Sequence, residues 1–559
     1  MIERSNSRQR VKTLLLGLDG ATMTLLSPLM AQGFLPNLNQ LLANGVYAPL
    51  ISTIPPFTGP AWVSIVTGVN PGRHGIYGFG VVDTETGDLS LARTGYIGSP
   101  RLWQMINAHG LSTGVVNVPL IYPPDPVDGF MLTGMLTPPG MDRFAYPPVM
   151  ANLVQEALGE RYRIDVNANP ELHAHDTAIV AELAALLRHR ERAICALLDH
   201  AEVDFLMAVL VVPDRLQHVY WGYLVPNGPD DPVYHSPQAP AFRAEIETLY
   251  GEVDAVVGRL LERIGPSCRT FIVSDHGFGR YERAIKLNNW LRHRGWLTLR
   301  SSGGMMQTFK STLLRMPAMR RLTRKAQRSR LGRAARQSMI DWSKTQAYSG
   351  TVFQQGVFIN LKGRQPCGCV EPGAAYESLR REIVAGLAEM RDPKTNRPLF
   401  ERVYVREEIF SGPYVDLAPD ILPVIWDGNG QLEPGFGNGS VVHYQGNLPY
   451  GCHHPKGIFV ASGPGIRRGI HLSAVSVMDV TPTVLHSLGL PVPKDLDGHV
   501  IADIFEPMET SFQPARTDER SAAQVVASLK TTLEYQQPGE IEADEQEAVI
   551  EHLKGLGYL

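Results

Sequence analysis

Short runs of apolar residues alternate along the chain with segments in which apolar positions recur at helical spacing. Continuous apolar runs predict strands that are buried on both faces. The predicted strands are VKTLLLGLDG (11–20), STGVVNVP (112–119), DFLMAVLVVPD (204–214), RTFIVSDHGFG (269–279) and KGIFVASGPGI (456–466). The predicted helices are LPNLNQLLANG (35–45), TGPAWVSIVTG (58–68), RLWQMINAHG (101–110) and DVTPTVLHSLG (479–489). This alternation predicts an α/β domain with a mostly parallel central sheet and helices on both faces.

A basic segment interrupts the alternation. Residues 302–340 contain ten Lys or Arg and no Asp or Glu, which indicates a helical insertion or lid. It is either a solvated helix pair or a surface that attracts an anionic substrate or an anionic membrane face. Residues 509–559 carry ten acidic and four basic residues. The predicted organisation is a catalytic domain in two parts, 11–300 and 346–505, with the insertion at 301–345 and an acidic linker and short helical tail at 506–559.

Composition and charge exclude several classes of protein. Hydrophobic residues make up 44% and charged residues 19% of the chain, so global disorder is excluded. A balance of 52 basic and 56 acidic residues does not favour a nucleic-acid polymer as the main partner. The longest apolar run, 205–212, is far shorter than the roughly 18 residues of a membrane-spanning helix. Because MIERSNSRQRVK also lacks the apolar centre of a signal peptide, we expect a cytoplasmic location.

Aspartate and histidine residues recur at the predicted strand ends and in the loops beside them. They are Asp19, Asp214, His218, Asp275 and His276, together with His453 and His454 in the loop before the strand 457–461. The i, i+4 spacing of Asp214 and His218 presents both side chains to one point if a helix starts there. Each Asp alone is typical of a turn or helix cap. Several carboxylates and imidazoles at the carboxyl edge of a sheet indicate a site for zinc or a similar divalent ion.

Thr58 is the candidate nucleophile. Its position at the start of the helix 58–68 is that of an ordinary N-cap residue. The same position also suits a phosphate, because a helix start offers free N–H groups and the positive end of the helix dipole. A Thr hydroxyl bound to a metal ion there can lose its proton and attack phosphorus.

Six segments together resemble the alkaline phosphatase superfamily, specifically its type I phosphodiesterase / nucleotide pyrophosphatase branch. They are LLLGLDG, PPFTGPAWVSIVTGVNPGRHGI, PDRLQH, VSDHGFG, GCHHPKGIFVASGPGI and DVTPTVLHSLGLPVPKDLDG. They occur in the order that the family requires, between residues 13 and 505. The resemblance implies an alkaline-phosphatase-like α/β fold and a hydrolase of phosphate diesters or pyrophosphates.

The resemblance also implies a site for two divalent metal ions. One ion would be held by Asp19, Thr58, Asp275 and His276, and the other by Asp214, His218 and His453. The family pattern G-x-H-x-x-x-G selects His453 over its neighbour His454. Two such ions clamp an in-line displacement in which Thr58 forms a covalent phospho-threonine intermediate. Zinc is the expected metal, and manganese or iron accept the same ligands.

The sequence departs from the family at one substrate-binding position. Nucleotide pyrophosphatases of this branch carry an Asn five residues after the His of the H-G-I motif, where this chain has Phe79. Diester preference over monoester preference therefore stays open. Asn288, Lys286 and His454 are the candidates for replacement substrate contacts, with a structural role as the alternative for each. A sulfatase is disfavoured, because Trp62 stands where the motif C/S-x-P-x-R needs Arg.

The sequence thus predicts a metal-dependent hydrolase of a small phosphate diester or pyrophosphate. Two alternatives stay open. A phosphomonoesterase or phosphotransferase would use the same site, with the basic insertion capturing a dianionic or lipid-like substrate. A catalytically silent binding protein would keep the metal ions for structure or ligand capture.

Overall fold

The structure is a computed structural model that describes residues 11–82, 89–300, 339–350, 355–436, 438–507, 517–527, 548–550 and 553. Nearly all of the predicted basic insertion and most of the acidic tail lie outside the described residues, and the predicted domain boundaries stay predictions. Within the described part, no helix combines the length and apolar character needed to cross a bilayer.

The elements of the described residues are numbered here in chain order. The strands are β1 Thr13–Leu18, β2 Gly45–Ile51, β3 Gly80–Val82, β4 Leu89–Leu91, β5 Thr113–Val118, β6 Gly129–Thr133, β7 Ala145–Tyr146, β8 Phe205–Leu210, β9 Arg269–Val273, β10 Gly277–Arg280, β11 Arg283–Ile285, β12 Ala347–Ser349, β13 Val357–Ile359, β14 Phe400–Val405, β15 Ile421–Ile425, β16 Gly430–Leu432, β17 Val442–Tyr444, β18 Gly451–His454, β19 Lys456–Ser462, β20 Ile470–His471, β21 Val475–Ser476, β22 Val492–Pro493 and β23 Thr517–Asp518. The α-helices are α1 Met23–Ala31, α2 Pro36–Ala43, α3 Thr58–Thr67, α4 Pro71–His74, α5 Leu102–Ala108, α6 Val149–Leu158, α7 Pro170–His173, α8 Ala178–His200, α9 Val212–Leu224, α10 Ala239–Ile264, α11 Leu287–His293, α12 Ala374–Ala388, α13 Val480–Ser487 and α14 Ala522–Ala527. Single turns of 3-10 helix occur at Thr94–Tyr96, Arg406–Glu408, Val415–Leu417, Val477–Asp479 and Ala502–Ile504.

A ten-stranded sheet forms the centre of the fold, in the order β20-β2-β19-β9-β1-β8-β5-β6-β7, with β21 paired to β2. Strands β9, β1, β8, β5 and β6 run parallel to one another. Strands β19 and β7 are antiparallel to their neighbours. Every residue of β1, β5 and β8 is buried, so both faces of the sheet are covered at its middle. The predicted α/β class with a mostly parallel sheet is confirmed.

Two predicted strands end earlier than their apolar runs suggest. β8 stops at Leu210 and α9 begins at Val212, because Pro213 cannot donate to a sheet and suits the first turn of a helix. The predicted strand 269–279 is divided into β9 and β10. The break leaves Asp275 and His276 at the carboxyl end of β9.

His453 and His454 belong to a strand rather than to the predicted loop. β18 pairs antiparallel with β10, so His453 lies opposite Phe278 and His454 lies opposite Gly277. Glycine is required at 277, because a Cβ there would collide with the Lys456 carbonyl oxygen. This pairing brings His453 next to the residues that follow β9.

A second apolar cluster lies apart from the one that covers the central sheet. It is formed by α11, α12 and a four-stranded sheet in the order β12-β13-β15-β14. Leu287, Ile359, Ile383 and Ile421 are fully buried in it.

Asp254 of α10 stabilises the start of α2. Its Oδ2 accepts the backbone N–H of Asn37 at 2.9 Å, and its Oδ1 accepts that of Leu38 at 2.8 Å. The first N–H groups of a helix have no partner within the helix. A buried carboxylate from a distant helix therefore acts as the cap that α2 itself lacks.

We expect Asp254→Ala to lower the free energy of unfolding by about 2 kcal/mol, because two backbone N–H groups and the Asn37 side-chain amide lose their acceptor. Urea unfolding followed by circular dichroism measures the change. Thr248→Ala on the same helix removes only an exposed hydrogen bond to the Ala244 carbonyl. It should change the free energy by less than about 0.5 kcal/mol. Equal losses in the two variants would contradict the capping role.

Candidate active site

The seven predicted ligand residues converge at the carboxyl ends of β1, β8 and β9. Asp19 follows β1, Asp275 and His276 follow β9, Asp214 and His218 lie in the first turns of α9, Thr58 begins α3, and His453 lies in β18. Parallel strands end at the same edge of a sheet, which is why residues distant in sequence meet here. The predicted helical presentation of Asp214 and His218 is also found, since α9 begins two residues before Asp214.

The first group of side chains surrounds the Nε2 atom of His276. That atom is 3.1 Å from Asp275 Oδ2, 3.7 Å from Asp19 Oδ1 and 3.3 Å from Thr58 Oγ1. All four residues are fully buried. Within the described residues, Asp19 Oδ1 and Asp275 Oδ2 accept no hydrogen bond. Buried oxygens in this condition are rare and costly unless a cation binds them.

The second group consists of Asp214, His218 and His453. The Nε2 atoms of the two imidazoles are 3.0 Å apart, and they lie 3.5 and 3.4 Å from Asp214 Oδ1. His276 Nε2 is 4.0 Å from the same oxygen, so the two groups adjoin. The side chain of His218 is 16% exposed and that of Asp214 is fully buried. The cluster therefore meets the surface at the second group.

Each of the three imidazoles has its Nδ1 atom at a backbone carbonyl oxygen. Nδ1 of His276 is 3.1 Å from the Gly277 oxygen, that of His218 is 3.3 Å from Gly451, and that of His453 is 3.0 Å from Pro56. An Nδ1–H donated to a carbonyl fixes the tautomer and the ring orientation. The Nε2 lone pairs are then directed into the cluster, as metal ligands require.

Two of the carboxylates are oriented by neutral donors. Trp62 Nε1 donates to Asp19 Oδ2 at 3.3 Å, and the Gly20 N–H donates to Asp275 Oδ1 at 3.3 Å. In each case the other oxygen faces His276. Sequence reasoning did not place Trp62 at the site, although its position four residues after Thr58 on α3 is a signal that it faces the same side.

The third carboxylate is oriented by a charged donor. Arg215 forms an ion pair with Asp214 through Oδ2, which leaves Oδ1 facing the imidazoles. Sequence reasoning missed Arg215, although it lies inside the motif PDRLQH. Burial alone would raise the pKa of Asp214, but the neighbouring His218 and Arg215 hold it well below its ordinary value.

Burial governs the ionisation of the other members. It raises the pKa of Asp19 to about 8, and the Asp214 charge adds to the effect. It raises the pKa of Asp275 well above its ordinary value, together with the charge of Asp19. It lowers the pKa of His218 to about 4. A bound divalent ion would reverse the effect of burial on the two carboxylates, because it stabilises them as anions, and it would favour the neutral imidazole as burial already does.

The ligand spacing fits divalent cations. Ligands about 2.0–2.2 Å from a tetrahedral zinc ion are separated by about 3.4 Å from one another. The contacts within the two groups measure 3.0–3.7 Å. The donor set of carboxylate, imidazole and hydroxyl groups suits zinc, manganese or iron.

Thr58 is not the N-cap residue that the sequence suggested. α3 begins at Thr58 itself, its N-cap is Phe57, and no side chain caps the helix. A Cβ on Gly59 would lie 3.2 Å from the Gly78 oxygen and 3.4 Å from Leu120 Cδ2, so neighbouring loops pack closely on the helix start. The Thr58 hydroxyl lies 3.3 Å from His276 Nε2 and does not cap α3.

Asn288 and Lys286 make contacts beside the second apolar cluster. The Asn288 amide donates to the Pro434 carbonyl at 2.7 Å and accepts the Ser349 N–H at 2.7 Å. Lys286 Nζ is 3.6 Å from a Glu433 carboxylate oxygen. The structure does not bring either side chain into the seven-residue cluster, and their roles in substrate binding stay predictions.

His454 and Phe79 are the two other positions that the sequence singled out for substrate contacts. His454 Nδ1 accepts the Lys456 N–H at 3.2 Å, and its role also stays a prediction. Phe79 is buried in the main apolar cluster. Its side chain has no hydrogen-bond donor.

The class of protein is a phosphoester hydrolase, because the model of a family of such enzymes matches most of the chain. The chain belongs to the type I phosphodiesterase / nucleotide pyrophosphatase family, whose model matches residues 13–425. The predicted resemblance and enzyme class are confirmed. The match includes six of the seven predicted ligand residues and ends before His453.

Several solved structures are similar to this one. Murine ectonucleotide pyrophosphatase/phosphodiesterase 5, in an inactive form with AMP, has 14% identity and a TM-score of 0.47, covering 89% of this chain and 100% of its own. Phosphonoacetate hydrolase from Sinorhizobium meliloti 1021, with phosphonoacetate, has 18% identity and a TM-score of 0.47, covering 86% and 96%. Human ectonucleotide pyrophosphatase/phosphodiesterase 5 has 15% identity and a TM-score of 0.46, covering 89% and 100%. No curated protein matches the chain.

The crowded carboxylates are expected to destabilise the metal-free protein at alkaline pH. The pKa of Asp19 is about 8 in the folded protein, against an ordinary value of 3.8. The unfolded chain releases this proton first, so stability falls as the pH rises from about 4 to about 8. Asp19→Asn keeps an acceptor for Trp62 and removes the titration.

In chelator, we expect Asp19→Asn to melt at a higher temperature than the wild type near pH 8 and at the same temperature near pH 4. Differential scanning calorimetry measures both. Added Zn²⁺ should stabilise the wild type more than the variant, since the variant lacks one anionic ligand. A variant that is less stable than the wild type near pH 8 in chelator would refute the repulsion account.

Proposed function

We propose that the protein is a metal-dependent hydrolase of small phosphate diesters or pyrophosphates with Thr58 as its nucleophile. Family membership supplies the reaction class. The position of the Thr58 hydroxyl carries the finer proposal. Its oxygen is 3.3 Å from His276 Nε2, the same nitrogen that is 3.1 Å from Asp275 and 3.7 Å from Asp19. A hydroxyl buried among two carboxylates and an imidazole has the surroundings of a metal ligand rather than of a packing residue.

Two ions would be held by the two groups of side chains. Asp19, Thr58, Asp275 and His276 would hold one, and Asp214, His218 and His453 the other. When bound, such ions neutralise negative charge that develops on phosphate oxygens and favour the deprotonated Thr58 hydroxyl. We propose zinc, because the spacing is that of tetrahedral ligands and the donors are oxygen and nitrogen.

The chain's own groups would then carry the displacement. The Thr58 oxygen attacks phosphorus, and the bond from phosphorus to the leaving oxygen breaks on the opposite side. The product is a covalent phospho-threonine, which still carries the second alcohol when the substrate is a diester. At the start of α3, the backbone N–H groups of Thr58 and Gly59 would donate to the phosphate oxygens, since Pro60 has no N–H. Water then attacks the same phosphorus, breaks its bond to Thr58 and restores the hydroxyl.

A phosphomonoesterase or phosphotransferase is the second candidate. Phe79 favours it, because an apolar side chain buried in the main cluster offers no amide N–H to a diester phosphate. The basic segment 302–340 would then attract the more highly charged monoester.

We expect Thr58→Ala to reduce turnover of bis-p-nitrophenyl phosphate by at least about a thousandfold, because the attacking oxygen is absent. Zinc content and melting temperature should stay close to those of the wild type. Release of p-nitrophenol from zinc-loaded protein measures turnover. Thr67→Ala is the matched control, since Thr67 is buried on the same helix and its hydroxyl donates to the Val63 carbonyl. Thr58→Ala with activity similar to that of Thr67→Ala would disprove the nucleophile assignment.

We expect the zinc-loaded wild type to hydrolyse bis-p-nitrophenyl phosphate faster than p-nitrophenyl phosphate. The expectation follows from the family to which the chain belongs, whose model is that of type I phosphodiesterases and nucleotide pyrophosphatases. Measuring kcat/KM for both esters decides the question. A higher value for the monoester would replace the diesterase proposal with the second candidate.

A further inference from the structure

Arg215 is a buried cation between two buried carboxylates. On one side its Nη1 pairs with Asp214 Oδ2. On the other side its Nη2 donates to Asp165 Oδ2 at 2.6 Å, and its Nε donates to Asp165 Oδ1 at 3.3 Å. The side chains of Arg215 and Asp165 are each 1% exposed. The planar guanidinium therefore has a fixed orientation, with a two-point contact to Asp165.

Asp165 belongs to the segment 163–176, which hydrogen bonds attach to α8 and α9. Arg190 of α8 donates to the two backbone carbonyl oxygens that precede Asp165, at 3.3 and 2.8 Å. Tyr220 and Tyr223 of α9 donate to carbonyl oxygens further along the same segment, at 2.7 and 3.0 Å. These contacts fix the segment on the helix that carries Asp214 and His218.

The geometry gives this pair a specific effect on Asp214. A carboxylate whose Oδ2 is engaged by Arg215 keeps Oδ1 toward His218 and His453, which lie 3.5 and 3.4 Å away. The corresponding donors to Asp19 and Asp275 are an indole and a backbone N–H, both neutral. The charged donor thus serves the second group alone among the three carboxylates of the described cluster.

We propose that Asp165 and Arg215 are a positioning pair for the second ligand group. Arg215 holds Asp214 with one oxygen toward the imidazoles, and Asp165 holds Arg215. Neither residue touches the reacting atoms. This inference rests on the proposed function, since it treats Asp214, His218 and His453 as ligands of one ion. Loss of the pair should weaken binding of that ion and leave the other ion unaffected.

The test is a titration of metal-free protein with Zn²⁺ in competition with a chelating dye. Asp165→Asn keeps the size of the side chain and removes its charge. We expect it to lower the affinity for one of two Zn²⁺ ions by about 10- to 100-fold and to change the other by less than about threefold. A second readout is the pH dependence of Zn²⁺ binding, which should change for the weakened ion alone.

Asp125→Asn is the matched control. Asp125 forms a buried ion pair with Arg101 at 2.6 Å, with side chains 1% and 6% exposed. Its hydrogen bonds go to Arg101 and Trp103 rather than to a candidate ligand. Breaking it should cost stability as Asp165→Asn does, yet leave both Zn²⁺ affinities within about threefold of the wild type.

Arg215→Lys is the second variant. It keeps the positive charge but removes the planar guanidinium that contacts both Asp165 and Asp214. It should weaken the same ion as Asp165→Asn. Unchanged affinities in either folded variant, or an equal loss in Asp125→Asn, would overturn the positioning pair. A wild type that binds fewer than two Zn²⁺ would overturn the proposed function as well. Two bound Zn²⁺ with no change in Asp165→Asn would overturn the positioning pair alone.

Discussion

The burial of three carboxylates beside one imidazole is the constraint on which the rest of the site depends. Asp19, Asp214 and Asp275 are fully buried, and each has an oxygen within 4.0 Å of His276 Nε2. Like charges in a low-dielectric interior oppose one another and disfavour folding unless cations compensate them. The fold imposes this arrangement, because β1, β8 and β9 are adjacent parallel strands whose carboxyl ends lie at one edge.

The surrounding structure directs the carboxylates instead of separating them. Trp62 and the Gly20 N–H each engage one oxygen, and Arg215 engages one oxygen of Asp214. Carbonyl oxygens engage the outer nitrogen of each imidazole. What remains facing inward is a set of single oxygen and nitrogen atoms at the spacing of metal ligands. These buried like charges lower the stability of the metal-free fold and make a cluster that could hold a metal ion, as expected where function and stability oppose one another.

Much of this could be predicted from the sequence, because the signals are local. Apolar runs predicted the central strands, and the ends of those strands indicated Asp19 and Asp275 as candidate site residues. The i, i+4 spacing predicted that Asp214 and His218 face the same point on a helix. Strand direction and long-range pairing have no local signal. The antiparallel course of β19 and the β10–β18 pairing that brings in His453 were therefore not predicted.

The contacts around Arg215 and Thr58 could not be predicted from the sequence for the same reason. Asp165 lies in a segment without a recognisable motif, and only the folded chain shows that it holds Arg215. Thr58 has the sequence environment of a helix cap, and the early start of α3 frees its hydroxyl for His276. Acid quenching of the zinc-loaded protein during turnover of bis-p-nitrophenyl phosphate, followed by peptide mass spectrometry, tests the central claim most directly. The account predicts a p-nitrophenyl phosphoryl group on Thr58, and an adduct on a different residue would contradict it.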